Sequence, residues 1–161
     1  RNDEAFYAYD LISDMLSRGN SARLYNELVK KRKLFTEISA YVTGEHDEGM
    51  FIVSGKLVKG VKMEDAEQAI ESELEKLRKE PVSEQELTKV KNKVESTLEF
   101  SEMNILNKAM NLAIAELMGD AALVNREGER YQRVTPAMVQ AEARKAFTES
   151  NASVLYYYSK N

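Results

Sequence analysis

One change of rhythm in this 161-residue chain constrains its fold more than anything else. In Phe35–Thr43, Ile38, Ala40 and Val42 alternate with Glu37, Ser39 and Tyr41. In Met50–Val58, Phe51, Val53, Gly55 and Leu57 share one side of the chain. Alternation with a period of two is the mark of a half-buried strand. The link between the two stretches, Gly44-Glu45-His46-Asp47-Glu48-Gly49, is short and polar and ends in glycine. The spacing predicts a β-hairpin with a loop of about four to six residues. Everywhere else until the last few residues the apolar positions recur every three or four. A lone hairpin is marginal in water, so the helices must supply its core.

The chain holds only two prolines and seven glycines, and scarce breakers favour long helices. A first helix is expected over Asp3–Ser17, on Ala5, Tyr9, Ile12 and Leu16, widened by Ala8, Leu11 and Met15, with Gly19 as its stop. A second starts at or near Ser21, with Leu24 and Leu28 on one face and Lys30–Lys33 at its negative end. A third covers Met63–Lys79, with Ala66, Ile70, Leu74 and Leu77 as its stripe, and Pro81 ends it. Ser83-Glu84-Gln85-Glu86 spells a capping box. From there Leu87, Val90, Val94 and Leu98 hold one face, and Ile105, Ala109 and Leu112 continue it toward Gly119. That run is long against a mean helix of about 11–12 residues, so an interruption is expected near Ser101–Asn104. Asp120–Arg133 forms another helix, weakened by Gly128. Thr135-Pro136 caps a last one reaching Phe147.

Val154-Leu155-Tyr156-Tyr157-Tyr158 reads as a closing strand, with one or two of its tyrosines in the core. The order α-α-β-β-α-α-α-α-β implies an α+β domain, an antiparallel or mixed sheet packed on one side by helices. Three strands make a small sheet, so a further strand is expected from just upstream of Arg1 or from another copy. The chain begins at Arg1, not Met, and reads as a single domain, 1–161, excised from a larger protein. Nothing in it places the parent in cytoplasm or periplasm.

The chemistry-bearing residues are sparse. Cysteine is absent, which removes disulfides, thiolate metal sites and thiol catalysis. His46 is the one histidine, too few for an imidazole-based zinc site within one chain; it is expected at the solvated hairpin tip. Glu45, Asp47 and Glu48 cluster beside it without the spacing of a calcium loop. The run Lys30–Lys33 reads as a solvated helix end, and the methionines read as gap-filling core. A formal charge of −4 lowers the prospect of nucleic acid as a partner, and no apolar run approaches the roughly 18 residues of a membrane span. No glycine-rich phosphate loop, G-x-S-x-G elbow or paired-histidine motif occurs. No catalytic, cofactor-binding or metal-binding residue is therefore assigned.

Four segments together carry a resemblance. They are Leu16-Ser17-Arg18-Gly19-Asn20-Ser21-Ala22-Arg23-Leu24-Tyr25-Asn26-Glu27-Leu28; the glycine before the second strand, Gly49-Met50-Phe51; Val82-Ser83-Glu84-Gln85-Glu86-Leu87-Thr88-Lys89-Val90-Lys91; and Val134-Thr135-Pro136-Ala137-Met138-Val139-Gln140-Ala141-Glu142-Ala143. In order and spacing they resemble the non-zinc domains of the insulinase/pitrilysin family of zinc metallopeptidases, which includes mitochondrial processing peptidases and cytochrome bc1 core proteins. The resemblance implies a repeated α+β domain in a molecule whose two halves close over an unfolded peptide. It implies zinc in the parent, held by H-x-x-E-H in another domain, with no ligand in this segment. Some partner halves of the family place an arginine and a tyrosine beside the substrate carbonyl. Here those positions fall on Val29 and Thr36, so that role does not carry over. The expected function is a structural, substrate-chamber domain of a zinc-dependent endopeptidase, itself inactive; the alternative is a scaffold or assembly subunit of the same fold, like the bc1 core proteins. The expected partners are sister domains and unfolded peptide, and surfaces bared by excision are expected to promote self-association.

Overall fold

The centre of the molecule is its first helix. The computed structural model describes residues 3–44 and 49–158, and α1 (Glu4–Ser17) touches the sheet and three other helices within it. Tyr7, Ala8, Leu11, Ile12, Met15 and Leu16 are all buried, which at 100° per residue covers about half the circumference of the helix. Asp3 caps its start, accepting from the Ala5 N–H at 2.9 Å. Its end is set by Gly19, whose φ of +92° is costly for any residue with a Cβ.

A helical turn from Arg23 passes into a π-helix, Tyr25–Lys31, that buries Leu24 and Leu28 completely. It closes with the Leu34 N–H donating to the Leu28 carbonyl at 2.8 Å across Lys33, which sits at φ +52°. Glycine usually occupies such a left-handed closing position. A left-handed side-chain residue costs about 1–2 kcal/mol, partly offset by the freedom glycine gains when unfolded. Lys33→Gly is therefore expected to stabilise the chain by about 0.5–1 kcal/mol, read as a shift of the urea midpoint at unchanged slope.

The expected hairpin is present. β1 (Phe35–Val42) pairs antiparallel with β2 (Phe51–Leu57) in a two-stranded sheet. Ile38 faces Gly55, Ala40 faces Val53 and Val42 faces Phe51. The register slips between Phe35 and Glu37. Without that bulge Phe35 would point opposite to Ile38 and Ala40; with it the ring joins the core, 4% exposed. The other face is wet and carries a Ser39–Ser54 hydroxyl pair at 3.1 Å. Ser17, at the end of α1, donates to the Ala40 carbonyl on the outer side of β1 at 2.8 Å and locks helix to sheet.

α2 (Met63–Lys79) ends on the predicted residues and packs on α6 (Pro136–Ala146). Gln140 and Arg144 of α6 both donate to the Arg78 carbonyl, satisfying a group that the end of α2 leaves open. The buried face of α2 is Ala66, Ala69, Glu73 and Leu77, with Ile70 and Leu74 only half-buried. The stripe is turned from the expected one toward Ala69 and Glu73. α3 (Glu84–Glu102) buries Leu87, Val90 and Val94 as expected. Ser83 accepts from the Glu86 N–H at 3.1 Å. The return half of the capping box is replaced: the Glu86 carboxylate instead takes the Arg23 guanidinium in a fork at 2.8 and 2.6 Å. α5 (Leu123–Arg133) forms straight through Gly128.

Four expectations are corrected. The interruption near Ser101–Asn104 is present, with Asn104 capping α4 (Ile105–Leu117). However, the break resets the helical phase, so Ile105, Ala109 and Leu112 do not continue the α3 stripe. They are exposed, and only Ala115 of α4 is buried. Val154–Tyr158 is extended but pairs with no strand among the described residues, its Tyr156 being held on α2 by Glu67. No tyrosine of that segment reaches the core: Tyr157 and Tyr158 are exposed, and half-buried Tyr156 is held by a hydrogen bond to Glu67. Lastly, Met15 is the one buried methionine among the described residues, and Met50, Met103 and Met110 stand in water. The architecture is nevertheless the expected α+β class, a small antiparallel sheet covered by helices on one side.

Candidate functional site

The polar chemistry of the domain gathers where α1 meets α5 and α6. Tyr131 of α5 reaches across and donates its hydroxyl to Asp10 Oδ2 at 2.6 Å. Tyr7 packs edge-on against the Tyr131 ring, centroids 4.9 Å apart, and accepts from Arg130 Nη1 at 3.2 Å. The Arg130 guanidinium also stands over the Tyr7 ring, 5.6 Å from its centre. On the α6 side Tyr9 donates to Glu142 Oε2 at 2.8 Å.

These contacts tie α1 to α5 and α6. Burial pushes the Tyr131 phenol far up, and the Asp10 carboxylate pushes it further. The Tyr9 phenol is raised for the same reasons, burial first and Glu142 second. Both remain protonated at neutral pH. A catalytic acid or base needs a value near the working pH, and these phenols are moved away from it. The cleft beside them, between α4 and α5 with Tyr7, Asn111, Glu127 and Arg130 on its walls, measures about 30 Å³. That is room for about one water.

Asp14, buried in α1, meets Arg18 Nη1 at 3.2 Å. Burial raises its carboxyl above the ordinary aspartate value, against the pull of Arg18. A pKa higher in the folded than in the unfolded chain contributes stability below the ordinary aspartate range, and that contribution is lost as pH rises through the folded value. Asp14→Asn is thus expected to gain on the wild type between about pH 3 and about pH 7, measured as the difference in urea midpoints at the two pH values.

The sequence-level candidates are scattered. His46, Glu45, Asp47 and Glu48 lie outside the described residues. Lys30 and Lys31 are exposed at the end of the π-helix, Lys30 over the Tyr25 ring and Lys31 on Glu27 at 2.9 Å. Val29 is half-buried against the core, and the Thr36 hydroxyl, at the bulge, donates to the Lys56 carbonyl. The Tyr131–Asp10 and Tyr9–Glu142 pairs join residues more than a hundred positions apart and leave no local signal. The resemblance implies zinc in the parent protein and no ligand in this segment, and the described donors do not fit that ion. Among the described residues no three His, Asp or Glu side chains converge on a point where a metal could bind, and no helix there is long and apolar enough to cross a membrane.

With this geometry in view, the relationships of the chain are informative. No curated protein sequence matches it. In structure it is similar to a proposed zinc protease from Bordetella pertussis Tohama I, at 24% identity and a TM-score of 0.86 over 99% of this chain and 87% of that one. It is similar to the inactive peptidase domain of a proposed zinc protease from Bordetella parapertussis, at 25% identity and 0.84 over 93% and 81%. A protease from Helicobacter pylori matches at 21% and 0.86, and there the similarity covers 93% of this chain but 36% of the larger one. The family model described as the peptidase M16 inactive domain matches residues 1–94, more than half of the sequence. That match covers enough of the sequence to assign it: the chain belongs to the peptidase M16 inactive domain family.

Proposed function

We propose that this chain walls the substrate chamber of a zinc endopeptidase whose zinc ligands lie in polypeptide outside residues 1–161. The observation that carries the reading is the match of residues 1–94 to a peptidase domain family described as inactive. In this reading the 161 residues are one domain of a larger protein, sister domains pack against it, and the substrate is an unfolded peptide. The hairpin supports a passive contact with that substrate. The outer edge of β1 is engaged at Ala40 by Ser17, whereas β2 has a ladder partner on one side only among the described residues, and extended peptides add readily at such an edge.

The test compares the isolated chain with its parent. Alone, the chain is expected to hydrolyse no unfolded peptide and to hold no stoichiometric zinc after dialysis, while the parent does both. Cleavage by the isolated chain, or one zinc per chain lost on His46→Ala, would overturn the reading. A parent sequence with no H-x-x-E-H would also overturn it and leave the scaffold subunit as the function.

A further inference from the structure

We propose that the end of the sheet where the chain leaves β2 for α2 is a docking surface for acidic, unfolded peptide. This deepens the chamber reading and rests on it for the nature of the ligand. Arg32 and Lys33 follow the π-helix, and Lys59 and Lys62 lie between β2 and α2. All of them are exposed. The two segments are joined, because the Val58 N–H donates to the Leu34 carbonyl at 3.0 Å, one rung beyond the Phe35–Leu57 pair. Lys33 and Lys59 are the next residues out from that rung. The turn Val58–Val61, closed at 3.1 Å with Gly60 at φ +92°, keeps Lys62 at the same end.

These cations are not spent within the domain. Residues 32–33 and 59–62 hold four positive charges and no negative one, in a chain whose formal charge is −4. Lys33, Lys59 and Lys62 make no ion pair among the described residues. Glu27, which feels the charge of Arg32, already holds Lys31 at 2.9 Å. Glu64 and Asp65 follow Lys62, but they open α2 and face the positive end of that helix. Like charges on facing strands repel. Lys33 also keeps its place at φ +52°, where glycine is the ordinary choice. The fold bears both costs at one spot, and backbone strain kept in this way gathers at ligand contacts.

The sign of the patch selects carboxylates, and its make-up selects a flexible ligand. A folded partner would have to desolvate and fix these long side chains, and lysine is depleted from lasting interfaces. An extended peptide leaves them in water and is attracted across a Debye length of about 8 Å. The patch also stands where the open edge of β2 ends, a strand with a ladder partner on one side only among the described residues. A peptide lying along β2 pairs its backbone with that edge and carries its acidic side chains to the cations. The backbone contact accepts any sequence, and the charge supplies the preference.

Fluorescence anisotropy of the full chain with a labelled Gly-Ser peptide that carries a run of glutamates tests this. At low salt the peptide is expected to bind about tenfold more tightly than the same peptide with glutamines, the difference fading above roughly 0.15 M salt. Lys59→Glu should weaken binding about two- to fivefold. Lys108→Glu, the same change of net charge on exposed α4, should leave it unchanged. Lys33→Gly should weaken binding while raising the urea midpoint, a split that a purely structural lysine would not show. N-methylation of the peptide backbone should weaken binding too, since it removes donors to the β2 edge. Equal binding of the two peptides, equal losses from Lys59→Glu and Lys108→Glu, indifference to N-methylation, or tighter binding of a single-stranded oligonucleotide of the same charge would each overturn the proposal. A parent with no H-x-x-E-H would instead overturn the chamber reading and leave this binding as it stands.

Discussion

Leu11→Ala is expected to lower the unfolding free energy by about 3–5 kcal/mol, the upper part of the range for buried leucines. Leu11 is 0% exposed, and the helix that carries it touches β1, α3, α5 and α6. Truncation costs most where the surroundings cannot collapse into the space. Walls from four elements, each also anchored elsewhere, leave little freedom to do so. A domain of this size is typically stable by about 5–15 kcal/mol, so the variant should sit near the limit of folding at 37 °C. Leu155→Ala is the matched control. Leu155 is 89% exposed, and its loss should move stability by no more than about 0.5 kcal/mol. Urea titrations of the two variants beside the wild type check both values. Equal effects would mean that α1 is not the hub of the core.

Why α1 became the hub is partly legible in its sequence. Tyr9, Ile12 and Leu16 with Ala8, Leu11 and Met15 make an apolar arc too wide for one neighbour, so the helix has to be covered from several directions. The caps are legible for the same local reason. Asp3, Ser83 and Thr135 each accept from a backbone N–H two or three residues on, and that geometry needs no tertiary information. Features that depend on distant partners are not legible. Nothing local says that Glu86 will leave its capping box for Arg23. Nothing local says that one extra residue will widen the turn from Tyr25 into a π-helix. The closing segment Val154–Tyr158 has strand composition and extended backbone, but a strand also needs an edge to pair with, and composition does not supply one.

The phase reset at Met103–Asn104 teaches the same point about the candidate site and the surface. A continuous stripe through Ile105, Ala109 and Leu112 was the simplest continuation of α3. Two residues of broken helix are enough to turn those positions outward, and an apolar helix becomes an exposed one. The polar cluster is hidden by distance instead. Tyr131 and Asp10 are 121 residues apart and meet only once α5 lies on α1. Composition was enough to remove thiol chemistry and an all-imidazole zinc site, since the chain has one histidine and no cysteine.

The hairpin gives the second large effect, and here local propensity and packing predict opposite signs. Gly55 sits in β2 opposite Ile38. By strand propensity alone, Gly55→Val should stabilise by up to about 1 kcal/mol. The structure predicts a loss. A Cβ placed on Gly55 would lie 2.6 and 2.8 Å from two carbons of the Phe35 ring and 3.1 Å from the Glu37 carbonyl oxygen. The ring cannot swing aside cheaply, since it is buried and the bulge beside it fixes its entry into the core. The glycine is therefore the floor on which Phe35 rests, and filling it is overpacking, expected to cost about 1–3 kcal/mol. A double-mutant cycle separates the two accounts. In a Phe35→Ala background the ring is gone, and Gly55→Ala should become nearly neutral or mildly favourable, whereas in the wild type it is destabilising. If Gly55→Ala costs the same with and without the ring, the close approach of Phe35 is not what requires glycine at this position.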